Sequence, residues 1–290
     1  MKLAAVAVVA VLGFGTAHAA DDAVSVERGA YLVRAAGCIS CHTAKDGPPL
    51  AGGLALETPF GTYYSPNITP DKATGIGGWS DSDFLNAVKN GIRPDGSHLF
   101  PVFPFPTYTK MTRADALAIK AWLFAQEPVS RANLEHDVPP PFGWRWTVGP
   151  WKTLFFTPGT WRAPADKPDP QWRRGAYLVE ALTHCGECHT PRNPLGALDH
   201  DMWLAGTPDG PDGELVPNIT PHKGTGIGDW SSGDLVMLMK EGLKPTYDDV
   251  QGSMAEAIRD SLSHLTDEDL EAIAAYLLAL PPIENKVSKK

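Results

Sequence analysis

The stretch CISCH, Cys38 to His42, returns as CGECH, Cys185 to His189, and together the two use every cysteine of the 290-residue chain. Two thiols three positions apart, followed directly by a histidine, form the pattern of c-type haem attachment. The thiols form thioethers to the two vinyl groups of one haem, and the histidine lies under the iron. A thioredoxin-like Cys-x-x-Cys needs a βαβ context, which the surrounding sequence lacks. A zinc site built on four cysteines gives no reason for a histidine after each pair. The spacing therefore predicts two covalently bound haem c groups. One is held by Cys38 and Cys41 with His42 on the iron, the other by Cys185 and Cys188 with His189 on the iron.

Working outward, the chain repeats itself. RGAYLVRAAGCISCHT (28–43) answers RGAYLVEALTHCGECHT (174–190) with one inserted residue. NITPDKATGIGGWSDSD (67–83) answers NITPHKGTGIGDWSSGD (218–234) with 12 of 17 positions identical. Each half is thus expected to be one haem domain of similar fold, the first over 21–127 and the second over 171–290. The segment between them, 128–170, is rich in proline and carries Trp144, Trp146, Trp151 and Trp161. A flexible linker is Gly/Ser-rich and polar, so this one is expected to strap across the domains and bury its aromatics.

The first 20 residues read as a secretory leader: Lys2, an apolar run from Leu3 to Phe14, and an Ala17-His18-Ala19 ending. The run is shorter than the roughly 20 residues that span a bilayer, and no later segment is long and apolar enough to cross one. Export to the periplasm is the expectation. The formal charge is −9, and removing Lys2 with the leader makes it −10. An acidic chain argues against nucleic acid and anionic membrane surfaces as partners.

The pattern of elements is helical. ERGAYLVRAAG and RRGAYLVEALTH read as amphipathic helices leading into the haem motifs. The last helix should start at cap Thr266, with Asp269 at the box position. It then carries Leu270, Ile273, Ala274, Leu277 and Leu278 on one face and stops before Pro281. Its counterpart in the first half spans Thr112 to Gln126. No alternating strand pattern stands out, so the expected class is all-α. Trp79, Trp230, Asn67, Asn218, Arg28 and Arg174 recur in both halves. They would either hydrogen-bond haem propionates or brace loops.

The series RGAYLV, CxxCHT, NITP, TGIGxWS resembles the c-type cytochrome subunits of periplasmic alcohol, gluconate and aldehyde dehydrogenases. The resemblance covers nearly all of the chain beyond the leader. It implies tandem class I cytochrome c domains, here two joined by the Pro/Trp-rich linker. The implied partners are a periplasmic dehydrogenase as electron donor and an oxidase or another cytochrome as acceptor. The alternative is a dihaem enzyme, a peroxidase or a thiosulfate-type oxidoreductase, with its chemistry at the first haem.

Cytochrome c iron commonly takes a methionine opposite its histidine. In the second half Met202, Met237, Met239 and Met254 compete, and the resemblance points to Met254. In the first half the equivalent position is Phe103, which cannot ligate. The candidates there are Met111, His98 and an open position. Met111 is preferred because it is the one methionine of that half beyond the leader and because Ala116 is a poor staple partner for it. The proline-rich loop LFPVFPFPTYTKMT (99–112) would then hold Met111 against the iron, with Phe100, Phe103 and Phe105 lining the haem face.

Overall fold

A computed structural model describes residues 16–289, with side chains from residue 26 onward. The expected leader, 1–20, lies outside the described side chains.

The described residues are helix-rich. Helix α1 (Thr16–Ala35) and the one-turn α2 (Cys38–Cys41) precede a hairpin of β1 (Ala55–Thr58) and β2 (Gly61–Tyr64). Helices α3 (Asp81–Asn90), α4 (Phe105–Tyr108) and α5 (Arg113–Phe124) complete the first half. After α6 (Val148–Phe155), the second half runs through α7 (Pro170–Tyr177), α8 (Cys185–His189), α9 (Ser232–Glu241), α10 (Gly252–Asp260) and α11 (Asp267–Leu278). Among the described residues no helix is long and apolar enough to cross a membrane. The helix-rich chain fits the expected all-α class, and the hairpin is a small addition to it. Each of its strands has four residues, so alternation places only two side chains on a face and leaves no readable period.

Local chemistry places the helices. Ser80 and Ser231 open α3 and α9 with complete capping boxes, reciprocated by Asp83 and Asp234. Gly91 and Gly242 close the same helices in the left-handed conformation, at φ 58° and 77°. Thr112 and Thr266 cap α5 and α11 by accepting from Asp115 N and Asp269 N. The expected box at Asp269 is only half made. The carboxylate of Asp269 turns outward from its helix to accept Arg174 Nε and Nη2 (2.7 and 2.6 Å) and the Tyr31 hydroxyl (2.6 Å).

Helix α1 packs on α5, and α7 packs on α11. Both crossings need glycine. A Cβ at Gly29 would lie 2.0 Å from the Ala118 carbonyl oxygen, and one at Gly175 would lie 1.8 Å from that of Ala272. One contiguous apolar core runs through both halves, from Leu32 and Val33 through Ile119 to Leu178, Leu182, Leu270 and Ile273.

The intervening segment is bonded to both halves. Lys152 Nζ donates to the carbonyls of Asn90 (2.5 Å) and Gly91 (2.9 Å), while Trp151 Nε1 donates to Leu195 O (2.9 Å). Trp161 meets Tyr177 edge-on. The expectation that all four tryptophans are buried fails at two of them. Trp144 and Trp146 stack on each other at 5.9 Å and are 48% and 66% exposed.

Candidate haem-attachment sites

The attachment motifs each form a single turn. Cys38 and Cys41 bracket α2, with His42 as its C-terminal cap residue, and Cys185, Cys188 and His189 all lie on α8. The turns are entered through left-handed residues, Gly37 (φ 62°) and His184 (φ 43°). Such a turn sets both thiols and the imidazole on one short piece of backbone. No two of the four cysteines are joined in a disulfide, so each motif keeps both of its sulfurs for one haem.

The histidines are oriented identically. His42 Nδ1–H donates to Pro66 O (2.8 Å), and His189 Nδ1–H donates to Pro217 O (2.9 Å). Each carbonyl belongs to the proline that opens a PNITP repeat. The bond fixes the tautomer and leaves Nε2 with a free lone pair, the arrangement that metal-ligating histidines adopt. Both rings are buried, and desolvation lowers their pKa, which keeps them neutral. Among the described residues, no three His, Cys, Asp or Glu side chains converge as a metal cage. Two thiols and one imidazole per turn fit a haem held by thioethers and one axial nitrogen, and they do not fit a closed zinc site.

The two turns face each other. A Cβ on Gly37 would lie 3.2 Å from His184 Nε2, so the imidazole that immediately precedes the second motif rests on the backbone that enters the first. Tyr108 closes the space between them. Its hydroxyl donates to Ala36 O (2.6 Å), and its ring meets His184 edge-on. Thr107 Oγ1 donates to Glu187 Oε1 (2.7 Å), joining α4 to α8.

Met254 is half-buried on α10 and packs against the core. Its loop is fixed by Glu214, whose Oε2 accepts Ser253 N (3.0 Å) and Ser253 Oγ (2.6 Å). Met202 lies in a short 3-10 turn, and Met237 and Met239 lie on α9.

The start of this loop is matched in the first half, and the position that answers Met254 there is Phe103 rather than Met111. Leu99 N donates to Gly91 O as Val250 N donates to Gly242 O, and four residues further on stand Phe103 and Met254. Met111 corresponds instead to Leu265. Lys89 Nζ donates to Met111 O as Lys240 Nζ donates to Leu265 O. Each of the two immediately precedes a cap threonine, and each is 1% exposed in the core. Met111 thus fills a leucine's packing position at the start of α5. His98 is held elsewhere as well. Its Nδ1 accepts Lys152 Nζ (3.1 Å), and its ring lies against Gly149 of α6. Two of the three loop phenylalanines also face away from the haem motif. Phe100 packs on Tyr63 and beneath Arg145, and Phe105 packs on Trp151, Phe156 and Lys152. Phe103 alone joins the main core, against Tyr108.

The recurring polar residues brace the fold. Asn67 Nδ2 donates to Val129 O and Asn218 Nδ2 to Ile283 O, both at 2.7 Å, while their Oδ1 atoms accept from Thr69 and Thr220. Arg28 Nε donates to Asp115 Oδ1 (2.7 Å). Sequence reasoning did not single out Tyr31, Tyr177, Asp115, His184 or Glu187. The repetition of RGAYLV was the available signal for the two tyrosines.

A cytochrome c family profile matches residues 26–125. The chain is 45% identical over 263 residues to a protein of Cereibacter sphaeroides named diheme cytochrome c-type, covering 89% of this chain and 86% of that one. It is 41% identical over 268 residues to the gluconate 2-dehydrogenase cytochrome c subunit of Pantoea cypripedii, covering 90% of this chain and 60% of that subunit. It is likewise 41% identical over 259 residues to the fructose dehydrogenase cytochrome subunit of Gluconobacter japonicus, of which it spans 53%.

Proposed function

The chain belongs to the cytochrome c family and is an electron-transfer cytochrome with covalent haem c, and from that premise we propose that it is an exported two-haem carrier serving a dehydrogenase. The observation that carries this reading is the duplicated attachment turn, with His42 and His189 each pinned through Nδ1 to a PNITP proline carbonyl. Bound haem supplies a one-electron iron couple. Cys38 and Cys41 hold one haem and Cys185 and Cys188 the other, each half acting as one cytochrome c domain. His42 and His189 present Nε2 to the irons. Met254 supplies the thioether of the second site, steadied by the bonds between Ser253 and Glu214. His184 and Tyr108 fill the space between the two turns and keep water from it.

The relatives that are dehydrogenase subunits support a dehydrogenase as donor, so substrate oxidation belongs to the partner and not to this chain. The acceptor we propose is an oxidase or another cytochrome. The leader-like N-terminus supports the periplasm as the compartment.

Intact-mass analysis of the exported holoprotein tests the count. Two haem additions are expected, and a single addition overturns the two-domain reading. Met254→Ala is expected to remove a thioether-to-iron absorption band and to lower one of two reduction potentials. An unchanged spectrum would assign that ligand elsewhere.

A further inference from the structure

We propose that no side chain of this protein ligates the iron of the first haem opposite His42, and that Phe103 closes that face as an apolar lid, leaving a coordination position for a small uncharged diatomic ligand. The inference rests on the reading that Cys38 and Cys41 bind haem.

The argument is a comparison of the halves within one molecule. The loops after Gly91 and Gly242 start alike. Tyr247 takes the left-handed conformation of Gly96, and the bridges Ile92–His98 and Leu243–Asp249 pair equivalent residues. The position that carries Met254 in the second half therefore carries Phe103 in the first. Phenylalanine has no lone pair to offer iron. After this point the second half has three more residues before its cap threonine, 254 to 266 against 103 to 112. The shorter first loop is drawn tight as α4, with Phe105 wholly buried beneath α6 and the Tyr108 hydroxyl donated to Ala36 O.

Met111 and His98, the other ligands weighed for this iron, have other places among the described residues. Met111 fills the core position that Leu265 fills in the second half, with its backbone held from both directions. Its N–H donates to Tyr108 O, and its carbonyl accepts Lys89 Nζ. His98 accepts Lys152 on the side of α6. His136 accepts Tyr64 N on the hairpin side (3.1 Å). The distal residue is apolar, and the nearby Tyr108 hydroxyl already has its acceptor. Such a pocket offers contact area rather than hydrogen bonds, and so favours a neutral diatomic over an anion, whose desolvation it would not offset.

The test uses the exported holoprotein once its two haems are confirmed by mass, so failure of the haem reading is seen first and separately. Carbon monoxide is titrated into the dithionite-reduced protein, and the oxidised protein is examined by electron paramagnetic resonance. The expected results are about one carbon monoxide per two haems and one high-spin beside one low-spin iron. Phe103→Met is expected to abolish carbon monoxide binding and add a second thioether-to-iron band. Met111→Leu, a volume-conserving core change, is expected to leave stoichiometry and spin states as in the parent. No carbon monoxide bound by the parent, two low-spin signals, or a high-spin signal that appears only in Met111→Leu would each overturn the proposal.

Discussion

Two aspartates carry an unusual amount of the polar architecture. Asp115 is 1% exposed and receives Arg28 from its own half and the Tyr177 hydroxyl (2.5 Å) from the other. Asp269 receives Arg174 from its own half and Tyr31 from the other. Burial lifts both tyrosine hydroxyls to about 12, with the aspartate bond adding to it, so each stays a donor across the working pH range. Burial also disfavours the charge on Asp269, but the hydrogen bonds from Arg174 and Tyr31 and the arginine charges outweigh it and lower its pKa. A carboxylate whose folded pKa lies below its unfolded value adds stability that is complete above the ordinary value of about 3.9 and is lost as pH falls through the folded value. The melting temperature is therefore expected to lose this contribution only below about pH 4, as Asp269 is protonated in the parent. The slope should be shallower in Asp269→Asn. Equal slopes in the two proteins would remove Asp269 from the acid response.

At the scale of elements, the two helix crossings depend on glycine. With backbone carbonyls 2.0 and 1.8 Å from the missing Cβ atoms, Gly29→Ala and Gly175→Ala must push α5 and α11 away. Overpacking of this kind costs about 1–3 kcal/mol or more. Gly78→Ala meets nothing within 4 Å and should be close to neutral in the same denaturant titration. Losses that match the Gly78 control would mean the crossings relax freely. The parts of this architecture legible in the sequence are those set by a few neighbouring residues. The attachment turns follow from CxxCH, and the cap positions of α5 and α11 follow from Thr112 and Thr266. The capping-box partner was misread at Asp269 because its carboxylate answers residues 95 and 238 positions away. Met111 draws the ligand role as the one methionine of its half beyond the leader, and only the positions of Lys89, Lys240 and the cap threonines show it as the counterpart of Leu265. Phe100 and Phe105 belong to a surface that exists only once α6 is laid over them.

At the scale of the molecule, the question is whether the repeated halves behave as two bodies or one. Each half has its own helix crossing, yet the core between them is continuous. The polar links are exchanged as well. Tyr31 on α1 reaches the aspartate of α11, and Tyr177 on α7 reaches the aspartate of α5. The same hydroxyls accept the cap N–H groups of Thr266 (3.3 Å) and Thr112 (3.1 Å), so each half helps to start the other's last helix. A molecule built this way should open as a single cooperative unit. Native-state hydrogen exchange can separate the cases, because it reports the opening free energy of α5 and α11 individually. Tyr177→Phe removes a bond to a carboxylate on α5 and the acceptor of the Thr112 N–H, while its hydroxyl makes no hydrogen bond to α11. Losing a hydrogen bond to a charged group costs roughly 1.5–3 kcal/mol. If the halves unfold together, the slowest amides of α11 lose the same protection as those of α5. Tyr31→Phe should then lower α5 along with α11. Protection of α11 that is unchanged in Tyr177→Phe, with α5 alone weakened, would show two independently unfolding domains and defeat the single-unit reading.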